Sequence, residues 1–233
     1  MATRDSLQWK LLAVALASLV APAAVGTNLA TAPGAETPDF RADFLRAADV
    51  AAEQLNQEPR QPPRHKAFYV DSYAVRALAV AYDLTGDEKY LDPCKRWSDR
   101  MLDCQGKMNP PGAYYMNYGR KPGENEGGWY VADSSSIAMG VLATAVRCSD
   151  KQQKARYLDS VQRFAKLVMD NYVGPAGGIT DGLWKKYDGE WWCSSGLFCS
   201  LTFLLYEETG DEEYLEVAYG ALDWLNRLDF HKV

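Results

Sequence analysis

Histidine is scarce in this chain, and that scarcity directs attention to its carboxylates. Only two His occur among 233 residues, His65 and His231. Two separate imidazoles argue against a His-rich metal site and against most Ser-His or Cys-His catalysis. The chemistry is therefore expected to rest on carboxylates, Tyr or Arg, with no metal and no organic cofactor.

Two aspartates, Asp71 and Asp133, stand 62 residues apart, each where a strongly apolar segment begins. A carboxyl group that is protonated at rest and can return as a base serves in proton transfer, and burial or a second carboxylate favours that state. Asp133 and Asp71 are the predicted catalytic residues. Both also have a structural interpretation, because Asp is a preferred N-cap and the matching residue of the next unit, Ser195, is another.

The chain repeats itself at this same spacing. Segments beginning at Asp71, Asp133 and Ser195 align, and the turn Thr-Gly-Asp-x-x-Tyr-Leu occurs at 85–91 and again at 209–215. Gly in this turn ends one helix in the left-handed conformation and Asp caps the next. Each unit pairs a helix that is apolar on nearly all sides with an amphipathic one.

These patterns predict seven helices in two layers. The apolar, inner helices are predicted at 74–84, 136–146 and 196–206, and the amphipathic, outer ones at 40–55, 88–104, 154–170 and 212–228. Inner helices shielded by outer ones indicate an all-α fold of repeated helical hairpins, a partial (α/α)6-type toroid. A linear helical solenoid is the alternative.

Two long connections, 105–132 and 172–193, precede inner helices and are rich in aromatic residues and Gly. Long loops of this kind are often functional, and short hairpins are expected at 112–118 and 183–192. Trp191 and Trp192 are adjacent, so one is expected to face the core and the other the cleft. The predicted substrate-binding residues are Trp129, Tyr130, Tyr114, Arg120, Asp181, Trp184, Trp191 and Trp192.

Composition limits the class of partner. The chain is 47% hydrophobic and 24% charged, with a formal net charge of −6, which fits a globular protein and not a nucleic-acid-binding surface. Five cysteines show no CxxC pattern and leave at least one thiol unpaired; both disulfides and buried free thiols stay open. Arg76, on an otherwise apolar helix, is expected to pair with Asp83 or Asp133.

Residues 1–25 have the pattern of a signal peptide. Arg4 and Lys10 precede an apolar stretch, 11–20, and Ala21-Pro22-Ala23 offers a cleavage site. We expect a secreted or periplasmic protein without stable membrane insertion after cleavage; an uncleaved anchor is the alternative. Residues 26–39 are predicted to be a flexible lead-in, and 40–233 the toroid domain.

The inner-helix aspartates and the segment Tyr82-Asp83-Leu84-Thr85-Gly86-Asp87 resemble the six-hairpin glycosidases, most of all the unsaturated glucuronyl and rhamnogalacturonyl hydrolases. Residues 178–184 resemble their Gly-Leu-Trp loop, and the resemblance spans roughly 70–228. It implies that Asp133 protonates the alkene of a 4,5-unsaturated uronic acid and helps water to add, so that the hemiketal collapses. It also implies that Asp71 assists, that aromatic side chains stack on sugars, and that Arg120 or Lys121 pairs with the substrate carboxylate.

The resemblance is incomplete at two places. Cys193-Ser194-Ser195 replaces an expected Arg-Gly-Gln, and Lys185-Lys186 stands where a His often follows. Three helix pairs and one helix make about half a six-hairpin ring, which leaves an open ring, a fragment, or assembly with a partner, including a homo-oligomer.

Two other functions stay open. A toroid polysaccharide lyase or sugar epimerase would use a Tyr base beside cations, for which Tyr114, Tyr115 and Tyr118 stand near Arg120 and Lys121. A non-catalytic glycan-binding or truncated toroid module would bind an oligosaccharide without turnover.

Overall fold

The computed structural model describes residues 39–57, 68–114, 129–181 and 189–228. Within these ranges the chain forms seven helices and no extended sheet, which confirms the all-α prediction. The helices are α1 (Phe40–Asn56), α2 (Phe68–Thr85), α3 (Glu88–Gln105), α4 (Val131–Ala145), α5 (Lys151–Asn171), α6 (Trp192–Thr209) and α7 (Glu212–Asn226). The predicted signal segment lies outside the described residues.

The helices form two layers. The inner helices α2, α4 and α6 pack side by side, with α4 between the other two. The outer helices cover them: α1 and α3 lie against α2, α3 and α5 against α4, and α7 against α6. This is the predicted arrangement of inner and outer helices.

The inner helices begin earlier than their apolar patterns predict. They start at residues 68, 131 and 192, whereas the hydrophobic runs suggest 74, 136 and 196. The additional first turns contain polar side chains that break the apolar pattern but are nevertheless buried: Asp71, Ser72, Ser134, Ser135, Ser194 and Ser195. Polar residues thus line the beginnings of all three inner helices.

Helix α4 is enclosed on almost every side. Thirteen of its fifteen residues are buried, and only Asp133 and Ala143 retain partial exposure. Small residues allow its neighbours to approach: the Oγ atoms of Ser136 and Ser72 are 2.7 Å apart, and the Trp97 ring of α3 lies over Gly140. The enclosure fixes where the first turn of α4 lies.

The repeated turns have the predicted geometry. Gly86 and Gly210 have φ values of 69° and 71°, in the left-handed region that favours glycine. The carboxylates of Asp87 and Asp211 then accept hydrogen bonds from the backbone N–H of Lys89 and of Glu213. Each turn therefore ends one helix and caps the next, as its sequence indicates.

The remaining sequence expectations have mixed outcomes. Backbone bridges Val173–Ile179 and Thr180–Glu190 give the connection before α6 a short hairpin-like segment, while much of the other predicted hairpin, 112–118, lies outside the described residues. All five cysteines are free thiols, so the disulfide alternative is wrong. Among the described residues, no helix has both the length and the apolar character needed to cross a bilayer.

Two inner-helix glycines provide a matched test of this packing. A Cβ at Gly140 would lie 3.0 Å from the Trp97 ring and 3.2 Å from Cβ of Ser72, whereas a Cβ at Gly196 would meet nothing within 4 Å. We expect Gly140→Ala to lower the free energy of unfolding by about 1–3 kcal/mol through overpacking. Gly196→Ala should raise it by about 0.5–1 kcal/mol, because Ala is the better helix former. Denaturant unfolding measures both; equal effects would contradict the packing described.

Candidate active site

Asp133 and Asp71 lie inside helices and do not cap them. Asp133 is the third residue of α4, whose N-cap is Tyr130, and Asp71 is the fourth residue of α2. Ser195 is likewise inside α6. The N-cap interpretation of these three positions is therefore wrong. Asp71 is buried, while the carboxyl of Asp133 is half-buried at the end of the inner helices where both long connections enter.

The carboxylate that acts on Asp133 is Asp181. The backbone N–H of Val131, two residues before Asp133, donates to the carbonyl oxygen of Asp181 over 3.3 Å. Ser194 Oγ, at the start of α6, donates to Asp181 Oδ1 over 2.9 Å. Asp181 is thus tied to the beginnings of two inner helices. The sequence analysis placed it among substrate-binding residues and assigned the second carboxylate to Asp71.

The two carboxyls have unequal surroundings. Burial, and then the charge of Asp181, raise the pKa of Asp133 to about 6. Burial also raises the pKa of Asp181, but the Ser194 hydroxyl opposes this by donating to its charged form. These causes favour the proton on Asp133 over Asp181.

The segment that carries Asp181 is held firmly against α6. Glu190 Oε1 accepts hydrogen bonds from the backbone N–H groups of Ala176 (2.8 Å) and Gly178 (3.2 Å). Ser195 Oγ accepts from the Ile179 N–H over 2.8 Å, and the Trp191 N–H donates to the Ile179 carbonyl over 2.8 Å. Side-chain and backbone hydrogen bonds both hold this segment, so the first turn of α6 determines where Asp181 lies.

Residues from the two flanking inner helices surround the pair. The pKa of Tyr69 in α2 is raised by burial and by Asp133, and that of the Cys193 thiol in α6 by burial, Asp133 and Asp181. Tyr73 lies near Tyr69 and also contributes to raising its pKa. The sequence analysis did not identify Tyr69, Tyr73 or Cys193. Helical spacing was the available signal, because Tyr69, Tyr73 and Arg76 lie at i, i+4 and i+7 on one face of α2.

Arg76 does not make the predicted ion pairs. Its guanidinium stacks over the Tyr73 ring, 4.8 Å from the centroid, and makes only a long 3.4 Å hydrogen bond to the Ser72 carbonyl and a 3.8 Å contact to Met139 sulfur. Asp83 pairs instead with Arg147. Among the described residues no carboxylate forms a salt bridge with Arg76, and burial lowers its pKa. Arg76 is thus a half-buried cation, stacked on Tyr73, without a fixed counter-ion in that part of the chain.

Two predicted substrate-binding aromatics belong to the core instead. Tyr114 is fully buried, with its hydroxyl 2.8 Å from Ser160 Oγ. Trp129 is fully buried as well, with its ring edge-on to Tyr172 at 5.2 Å between centroids. Neither side chain is exposed for the predicted substrate contact, because the ends of the long 105–132 connection turn inward and pack beside α5.

The other predicted aromatics lie nearer the surface. Tyr130 is half-buried immediately before α4. Trp192 is 54% exposed and Trp191 half-buried, with ring centroids 6.2 Å apart and planes at 30°. The exposed Trp192 indole offers a flat apolar face at the start of α6, while the prediction that one of the two faces a cleft stays a prediction. Arg120 and Trp184 lie outside the described residues.

Within the described ranges, no three His, Cys, Asp or Glu side chains come close enough to hold a metal ion. The site there consists of two carboxyls, a serine donor, two tyrosines and an arginine. Such a set can transfer protons and bind polar, hydroxyl-rich ligands.

Solved structures of carbohydrate-active enzymes share this arrangement of hairpins. A polysaccharide lyase matches with a TM-score of 0.63 and 14% identity, over 79% of this chain and 54% of its own. A sugar epimerase from a ruminal bacterium matches at 0.58 and 16%, over 75% and 44%. A glycosyl hydrolase of family 88 from Bacteroides vulgatus matches at 0.62 and 15%, over 79% and 55%. The fold is that of the six-hairpin toroids, and this chain spans about half the length of these neighbours.

The family itself is identified by sequence. Residues 51–232 match the model of glycosyl hydrolase family 76, and the chain belongs to that family. This confirms the resemblance to six-hairpin glycosidases at the level of the fold class. No curated protein matches the chain.

The pKa of Asp133 makes stability depend on pH. Folding raises this pKa from 3.8 to about 6, so the folded state binds the proton more tightly, and the stabilisation is full below about pH 4 and lost as pH rises through about 6. We expect the Asp133→Asn variant not to lose this stability between pH 4 and pH 7. At pH 7 its free energy of unfolding should be higher than that of the wild type, by at most about 3 kcal/mol. Denaturant unfolding at pH 4 and pH 7 tests this. Asp103→Asn, which removes an exposed carboxylate, is the control and should leave the pH dependence unchanged.

Proposed function

We propose that this protein is a glycoside hydrolase in which Asp133 is the general acid and Asp181 the ionised partner. One observation carries the proposal: Asp181 is hydrogen-bonded to the first turns of α4 and α6, and its charge, together with burial, raises the pKa of Asp133 to about 6. Paired carboxyls with separated pKa values are the recurring arrangement for acid and base roles in glycoside hydrolysis. Membership of glycosyl hydrolase family 76 supports the same reaction class.

The residues divide the reaction as follows. Asp133 gives its proton to the departing oxygen as the glycosidic bond breaks, and Asp181, as a carboxylate, stabilises positive charge on the sugar ring or takes a proton from the attacking water. Water supplies the oxygen for the new bond to the sugar, and its proton restores Asp133. Trp192 offers a stacking face for a sugar ring.

We further propose that the substrate is a uronic-acid oligosaccharide. Arg76 supports this, because it is a half-buried guanidinium with no carboxylate partner among the described residues. It is linked to Asp133 through the neighbouring rings of Tyr73 and Tyr69. An arginine binds a carboxylate through two parallel hydrogen bonds.

For an unsaturated uronate the same pair would act on an alkene. Asp133 protonates one alkene carbon, and water, deprotonated by Asp181, adds to the other. The resulting hemiketal collapses and releases the neighbouring sugar.

We also propose that the protein is exported, which the signal-like pattern of residues 1–25 supports.

Of the tyrosines proposed as the base of a lyase or epimerase, Tyr115 and Tyr118 lie outside the described residues. Tyr114 is enclosed in the core, and burial raises its pKa, which disfavours a tyrosinate. Burial and the charge of Asp133 also raise the pKa of Tyr69, which disfavours a tyrosinate there. Product analysis still separates the reactions, because a lyase creates the alkene that the hydrolase would consume.

The first test of the proposal is turnover with and without the acid. The protein is assayed on lyase-digested polyuronates by loss of alkene absorbance, and on a panel of neutral oligosaccharides by release of reducing ends. We expect Asp133→Asn to lower kcat by about 10²–10⁴-fold, the usual contribution of a general acid. Asp103→Asn should retain activity. In the wild type, kcat/KM should fall as pH rises through about 6.

The outcomes of this test separate the two levels of the proposal. Loss of alkene absorbance that requires Asp133 supports the uronate substrate. If only neutral oligosaccharides are hydrolysed, the glycoside hydrolase proposal stands and the uronate substrate is contradicted. Glycan binding without turnover, in protein shown to be folded, contradicts both and favours the binding module.

A second prediction concerns Arg76. We expect Arg76→Met, which retains much of the apolar stem, to raise KM for a uronate substrate at least tenfold, because it removes the bidentate cation. Arg76→Lys should restore part of the loss. A neutral substrate analogue is the control and should bind both variants like the wild type. Equal KM values for the uronate in wild type and Arg76→Met would contradict this role.

A further inference from the structure

Ser194 is a fully buried polar residue in the first turn of α6. Its hydroxyl donates to Asp181 Oδ1 over 2.9 Å, across the gap between the helix and the segment that carries Asp181. A hydrogen bond from a neutral donor to a carboxylate is stronger than one between neutral groups. This contact lies within the proposed active site but outside the acid–base pair itself.

The other hydroxyl residues of α6 behave differently. The remaining Ser and Thr residues each donate to the backbone carbonyl four residues earlier: Ser195 over 2.8 Å, Ser200 over 2.9 Å, Thr202 over 3.0 Å and Thr209 over 2.7 Å. That is the usual bond of a Ser or Thr inside a helix. Ser194 instead directs its proton away from its own helix and onto a charged side chain.

The segment carrying Asp181 does not need this bond for its attachment. Glu190, Ser195 and the Trp191 backbone already fasten residues 176–179 to α6. Ser194 is the one described side chain that donates to the Asp181 carboxylate. Its hydroxyl therefore fixes the orientation and charge of that group more than the path of the backbone.

We propose that Ser194 is a positioning residue, whose hydroxyl orients the Asp181 carboxylate and stabilises its charged form. This inference rests on the proposed function, since Asp133 and Asp181 are the acid and its partner there. It adds the group that decides which of the two carboxyls plays each role.

Burial raises the pKa of both Asp133 and Asp181, and the Ser194 hydroxyl opposes this rise at Asp181. A donor to the charged form of one carboxyl lowers the pKa of that group only. Without Ser194, Asp181 would compete with Asp133 for the proton, and the fraction of molecules in the productive protonation state would fall.

The test compares four variants with the wild type over a pH series. Ser194→Ala removes the donor, and we expect the acidic limb of the kcat/KM profile to move to higher pH and kcat/KM at pH 5 to fall about tenfold, within the range of one charge-assisted hydrogen bond. Ser194→Thr retains a hydroxyl and should keep the wild-type limb. Ser194→Val has about the volume of Thr but no hydroxyl, so it should behave as Ser194→Ala. It replaces the alanine variant in the test if that variant does not fold.

Two matched controls separate positioning from structure. Ser195→Ala removes an equally buried hydroxyl that holds the Ile179 N–H, and it should lower Tm without moving the acidic limb. Ser134→Ala removes an equally buried hydroxyl of α4 that has no hydrogen-bond partner among the described residues, and it should change neither. A merely structural role for Ser194 predicts that its variants resemble Ser195→Ala.

A titration that needs no substrate distinguishes failure of this inference from failure of the proposed function. The carboxyl ¹³C signal of Asp181 is followed with pH in the unliganded protein. We expect its midpoint to rise in Ser194→Ala and in Ser194→Val, and to stay at the wild-type value in Ser194→Thr and Ser195→Ala. An unchanged Asp181 midpoint in a folded Ser194→Ala variant would overturn the inference, even if the enzyme is active.

Discussion

The enclosure of α4 is the constraint on which the rest of the structure depends. A helix with thirteen of fifteen residues buried needs a neighbour on every side, and α2, α3, α5 and α6 provide them. The small residues Ser136 and Gly140 allow α2 and α3 to pack closely against α4. The polar side chain that remains partly open on α4 is Asp133. Packing of the inner layer thus places one carboxyl at the end of the bundle.

The second carboxyl reaches this place through a loop. Asp181 is joined to the first turn of α4 by its carbonyl oxygen and to the first turn of α6 by its side chain. The two helix starts are held in register by the packing of α4 against α6. A shift of either helix therefore changes the position of one carboxyl relative to the other. Tight packing of the inner helices keeps that relative position fixed.

Periodicity predicted the helices and their layers well, because helix and core patterns are local properties of the sequence. The seven helices and the Gly86 and Gly210 turns follow from it. Polar first turns concealed the true helix starts, since buried Ser and Asp interrupt an apolar run. The partnership of Asp133 with Asp181 was not visible, because the two residues stand 48 positions apart and a loop brings Asp181 to the start of α4. Tyr114 and Trp129 have the composition of a binding loop, and only tertiary packing shows that they fill the core.

The central claim is that Asp133 and Asp181 form one coupled pair with the proton on Asp133. The most direct measurement is the ¹³C titration of the Asp133 carboxyl in the wild type and in Asp181→Asn. The structure predicts a wild-type midpoint of about 6. It also predicts that the midpoint falls when Asp181 loses its charge but stays above the ordinary value, because burial is the larger cause. A wild-type midpoint near 4 that does not change in Asp181→Asn would contradict the account.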